Sequence, residues 1–91
     1  MRVWEENENM LIPYYLMLSY LYYEQNVSLI DDAEFDKLCK TLLEKLDNLN
    51  HMHKHLVSKE SLTAGTGYDI KYTNLIKDSA IKLKEVWKWK I

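Results

Sequence analysis

Proline is almost absent from the sequence, occurring once at position 13, and glycine occurs only twice. These residues punctuate turns and interrupt helices, so their scarcity leaves most of the chain free to form regular structure. Both glycines fall in the short stretch Thr63-Ala64-Gly65-Thr66-Gly67. One cysteine, Cys39, excludes an internal disulfide and a cysteine-rich zinc site; it suits a reducing compartment, and the cytoplasm is the expected location. No apolar run reaches the ~20 residues that a membrane span requires. The longest uncharged stretch, Met10 to Tyr23, contains Pro13 and Ser19 and reads as a buried helix, with no membrane partner expected. Glu5, Glu6 and Glu8 stand where a secretory signal would carry basic residues.

What is present describes a chain of 91 residues, room for one core, with 47% apolar and 29% charged residues. That balance predicts a folded globular domain and argues against disorder. The net charge is -2, yet it is unevenly spread. Residues 1–50 hold four basic against ten acidic residues, and residues 51–91 hold eight against four. A total this close to neutrality supplies no field for strong nucleic-acid binding and too little acidity for a DNA mimic.

Periodicity predicts a mainly α fold: an antiparallel helical hairpin over about 11–49, an irregular linker over about 50–72, and a final helix over about 73–89 packed on the hairpin. The first helix is expected to start near Pro13, where the missing N–H is harmless, and to run to about Gln25. Asp31 is placed to cap the second helix, with Glu34 completing a capping box and Ile30 and Phe35 forming a hydrophobic staple. Phe35, Leu38, Cys39, Leu42, Leu43, Leu46 and Leu49 then recur at three and four residues along one stripe. A short helical turn is expected at Ser58 to Leu62, and an extended segment at Tyr68 to Tyr72. In the final helix Leu75, Ile76, Ala80, Leu83, Val86 and Trp87 are expected to point inward.

The stretch Ser-Tyr-Leu-Tyr-Tyr-Glu-Gln-Asn-Val-Ser-Leu-Ile-Asp-Asp-Ala-Glu-Phe-Asp-Lys-Leu, residues 19–38, resembles the N-terminal helical domain (domain Ia) of NAD-dependent DNA ligases. In that family a tyrosine-bearing helix is followed by an aspartate, Ala-Glu, an aromatic and a second aspartate that open the next helix. The resemblance implies a hairpin that grips the nicotinamide mononucleotide half of NAD while a separate domain attacks the adenylyl phosphate. Tyr22, Asp32 and Asp36 match the family's ligand-contacting positions; Tyr23 stands where the family has histidine, and Phe35 where it has tyrosine. The Lys-x-Asp-Gly nucleophile motif of a ligase has no counterpart, since Lys71-Tyr72-Thr73-Asn74 lacks both Asp and Gly. The expectation is therefore a binding module that is not an enzyme and needs no cofactor of its own. A phage-type accessory or regulatory protein docking on a protein partner is the leading form; a nicotinamide-nucleotide module serving a separate catalytic partner is one alternative, and single-stranded nucleic-acid binding through the C-terminal Lys/Trp helix is a second.

Other features have plainer readings. Asp32 and Asp36 share a helical face, where Asp32 also suits the helix dipole and Asp36 can pair with Lys40. Tyr14, Tyr15, Tyr20, Tyr22 and Tyr23 crowd one helix, too many phenols to bury without partners. His51, His53 and His55 alternate; on an extended segment they would present three imidazoles to a zinc-like ion, though polar loops of this kind usually bind none. Gly65-Thr66-Gly67 is read as a tight turn before a phosphate cradle, because strand, helix and lysine of a P-loop are missing. Lys82, Lys84, Lys88 and Lys90 interleave with Trp87 and Trp89, as in single-strand binders, but Asp78 and Glu85 dilute them and favour an ordinary helix face. Cys39 lies on the apolar stripe and reads as an inert thiol.

Overall fold

A computed structural model describes residues 3–65 and 70–88. Helix α1 (Val3–Glu6) and a 3-10 turn at Glu8–Met10 lead into α2 (Leu11–Glu24). Helix α3 (Asp32–Lys45) follows and closes in a 3-10 turn at Leu46–Asn48. A further 3-10 turn at Lys54–Leu56 precedes α4 (Lys59–Ala64), and α5 (Asn74–Lys88) is the last element. Among the described residues there is no strand, so the fold is mainly α, as the periodicity predicts.

Three helix starts are set by a side-chain oxygen that accepts an otherwise unpaired backbone N–H. Asp31 is extended and accepts from the Glu34 N–H at 2.8 Å ahead of α3. Ser58 accepts from the Ser61 N–H at 3.1 Å ahead of α4. The Thr73 hydroxyl accepts from the Ile76 N–H at 3.3 Å ahead of α5. Helix α2 has no side-chain cap and grows directly out of the preceding 3-10 turn. It therefore starts two residues before Pro13, which stands third in the helix, still among the four N–H positions that have no intrahelical partner.

Helix α2 is the centre of the molecule. Its buried residues, Leu11, Ile12, Tyr15, Leu16, Leu18, Ser19, Tyr20 and Leu21, fall on every side of the helix, whereas α3 buries only Leu38, Cys39 and Leu42 along one stripe. A helix apolar all round has to be covered from several directions. Helix α3 covers one side, running antiparallel to α2: Glu8, just before α2, bonds Lys45 at the end of α3 at 2.6 Å, while Tyr22 and Tyr23 at the end of α2 meet Asp32 at the start of α3. Helix α5 packs chiefly on α2 through Ile76 and Ala80 and does not spread over the hairpin as a whole. That narrow contact leaves Leu75 and Val86 outside, 55% and 52% exposed, against the expectation that they point inward.

Two segments contribute more to the core than their composition predicts. Trp4 of α1 is buried in the main core cluster, with its ring 5.2 Å from that of Tyr14, and so helps to anchor the acidic N-terminal stretch. Residues expected to form an irregular linker bring Leu62 into the main cluster of buried side chains, with Leu56, Val57 and Ile70 packed against it. Residues 70–73 are without regular structure. Tyr68 of the expected extended segment lies outside the described residues.

Candidate functional site

The end of α2 is a poor place to close a core. Leu21 is fully buried, yet the next residues are Tyr22, 44% exposed, and Tyr23, half-buried, whose rings meet edge to face at 4.7 Å and 89°. The chain then turns through Asn26 at a positive φ of 56°, a conformation that asparagine tolerates better than most residues. The Val27 N–H donates back to the Leu21 carbonyl at 2.7 Å, which ties the turn to the helix. Ser28 donates its hydroxyl to the Ile30 carbonyl at 2.7 Å. Asp31 then opens α3, and its first turns present Asp32, Phe35 and Asp36, positions i, i+3 and i+4 of one face.

These groups surround a half-open pocket of about 320 Å³. All five residues singled out by the ligase-like stretch, Tyr22, Tyr23, Asp32, Phe35 and Asp36, line it. Leu18, Leu29 and Ile30 are its apolar neighbours, and Ala64 and Gly65 at the end of α4 supply a wall from far along the chain. Gly65 adopts the left-handed conformation, φ 71°, that ends α4, and a Cβ at this position would come within 3.2 Å of Asp36 Oδ1. Glycine is therefore suited twice over, by its backbone angle and by the nearness of the carboxylate.

Phe35 is half-buried and stacks on the buried Tyr15 ring at 6.1 Å and 25°. Asp36 Oδ2 pairs with Lys40 Nζ at 2.9 Å, the i,i+4 pairing foreseen from the charge pattern, in addition to lining the pocket. The hydrogen bond to Asp36, and secondarily its charge, raise the Lys40 ammonium above its ordinary pKa. Both side chains remain more than half exposed, so water screens the pair and leaves Asp36 accessible to a ligand. Among the described residues the lining contains two carboxylates and no lysine, arginine, histidine or cysteine.

Tyr15 and Tyr20 have structural roles. Tyr15 is fully buried, and the Tyr20 hydroxyl accepts from Gln25 Nε2 at 2.9 Å while its ring meets Tyr72 edge-on at 5.3 Å. Burial, and secondarily the charge of Asp36, push the Cys39 thiol up to about 12, consistent with an inert side chain. The three histidines do not share one side, because their segment is a turn followed by a 3-10 helix and not an extended strand. His51 and His53 lie together, ring centroids 5.5 Å apart, while His55 lines a different hollow beside Leu56 and Lys71. Among the described residues no three His, Cys, Asp or Glu side chains gather around a point. Trp87 packs against the core, and Thr66, Gly67, Trp89 and Lys90 lie outside the described residues. No described helix is long and apolar enough to cross a membrane.

The fold and pocket thus define a small helical chain with an acidic, aromatic-lined recess at one end of its hairpin. No family model, curated protein or solved structure matches the chain.

Proposed function

We propose that the chain is a non-catalytic binding module whose hairpin pocket takes a small ligand with a positively charged planar group, of which the nicotinamide mononucleotide half of NAD is the type. The observation that carries this reading is the convergence of three aromatic rings and two carboxylates on one recess, with no basic residue in its lining among the described residues. A cationic ring gains about 0.5–2 kcal/mol against each well-placed aromatic face, and carboxylates add attraction and accept hydrogen bonds from ribose hydroxyls. A volume of about 320 Å³ suits a single ring with its sugar and is small for a whole dinucleotide. The ligand's phosphate would face outward, away from Asp32 and Asp36. The non-catalytic part is supported by the pocket's side chains: its one aliphatic hydroxyl, Ser28, already donates to the Ile30 carbonyl, and among the described residues the lining has no histidine, cysteine or lysine.

The exposed Tyr22 at the rim favours a second form of the same chemistry, in which the pocket receives an arginine presented by a partner protein. In that form the chain is an accessory or regulatory protein of phage type. Calorimetry separates the two. Nicotinamide mononucleotide and nicotinamide riboside should bind below millimolar, the neutral dihydronicotinamide forms at least ten-fold more weakly, and Asp32→Asn with Asp36→Asn should erase that preference. An absence of heat with every nicotinamide compound at millimolar concentration, alongside binding of an arginine-bearing peptide, transfers the assignment to the protein partner; silence from both ends the proposal.

A further inference from the structure

A second hollow, of about 270 Å³, lies between α2 and the start of α5. Four of its lining side chains carry donor atoms for a soft metal: Met17 from α2, and His51, Met52 and His53 from the turn after α3. Pro13 and Leu75 form apolar walls beside them. We propose that this hollow binds a soft monovalent cation of the copper(I) class through the imidazoles of His51 and His53 and the thioethers of Met17 and Met52.

Charge and ligand type select the ion. All four donors are uncharged when the imidazoles are neutral, and thioethers favour copper(I) over the harder divalent ions. No third His, Cys, Asp or Glu is present to complete a zinc set among the described residues. Two imidazoles that share one ion through bonds of about 2 Å have ring centroids no more than roughly 6 Å apart, and the observed separation is 5.5 Å. His51 Nδ1 accepts the His53 backbone N–H at 3.1 Å, so the lone pair is already on that nitrogen. Coordination there costs no proton and releases the His53 N–H, which gives the site a signature of its own. Met52 is 71% exposed on a turn, free to swing over an ion without disturbing the core.

The test uses the full chain with silver(I), an air-stable and diamagnetic stand-in for copper(I), followed by NMR. At one equivalent the Met17 and Met52 methyl signals, the His51 and His53 ring signals and the His53 amide should move together and saturate. Competition of copper(I) against bicinchoninate then measures affinity in a Cys39→Ala background, which removes the one alternative thiol. Met52→Leu and His53→Gln, at partly or largely exposed positions, should each weaken binding at least ten-fold with the circular dichroism spectrum unchanged. If the wild-type chain takes up silver(I) only at Cys39, if these two substitutions leave affinity unaltered, or if zinc binds as tightly as copper(I), the site is not the one described.

Discussion

The two sides of α2 are finished in opposite ways. Around Ala80, beyond the hollow at the start of α5, the seam is closed: Leu21 and Ala80 are fully buried, and Tyr20 is nearly so, because the small alanine lets the helices approach and the Tyr20 hydroxyl finds Gln25 at the edge. Against the start of α3 the seam is open: Tyr22, Tyr23, Asp32 and Asp36 carry polar tips that would lose water on closure, and a recess remains. Leu21 and Tyr22 are chain neighbours on different seams, so stability and recognition separate within a single peptide bond. Apolar complementarity holds the fold together on one side; on the other, polar tips that keep their water leave a site available.

The sharpest way to break this division is to truncate those neighbours one at a time. Leu21→Ala should cost about 2–5 kcal/mol in urea or thermal unfolding, as cavity-forming substitutions in cores do, while the surviving folded fraction keeps its ligand affinity. Tyr22→Ala should change stability by less than about 0.5 kcal/mol and weaken ligand binding instead. If Tyr22→Ala destabilises as much as Leu21→Ala, the open seam is ordinary core. Asp31→Ala is smaller in stability, about 1 kcal/mol, but it loosens the first turn of α3 that presents Asp32 and Phe35. Binding should therefore fall together with the melting temperature, which joins the two properties at one residue.

Acid provides the mildest probe of the α2–α5 side, where His51 lines the second hollow. Its folded pKa is lowered, by burial and then by His53, so the unfolded chain takes up the proton more readily. Stability is then complete above the ordinary histidine value of about 6.5 and declines as pH falls from there towards the lowered folded value. The urea midpoint should drop between pH 7.5 and pH 5.5, and His51→Gln should flatten that part of the dependence.

Local chemistry was legible in the sequence, and non-local assembly was not. The Asp31 cap and the Asp36–Lys40 pair involve residues three and four apart, and both stand in the structure as the spacing indicates. The α3 stripe was legible for the same reason, with Leu38, Cys39 and Leu42 buried. Trp4 was silent because its anchoring comes from Tyr14 and the rest of the core cluster and not from any pattern in its own short helix. The short helical turn expected at Ser58 to Leu62 stands as α4, capped by Ser58, whereas the 3-10 turns span three residues each, too few for a period to declare itself. The same limit applied to the pocket: Tyr22, Asp32 and Asp36 could be grouped by resemblance, but nothing near Gly65 indicates that the end of α4 lies beside Asp36. The alternating histidines would share a side only in an extended chain, and theirs is coiled.

Cys39 has a use that its inertness creates. A thiol with no exposed surface and a pKa near 12 reacts with an alkylating reagent only when the chain around it opens. Because it sits on α3 directly under the hairpin, its modification rate is a built-in clock for the opening of the domain. Ligand in the recess should slow that clock, so an unlabelled, unmutated chain can report its own occupancy in a crude mixture.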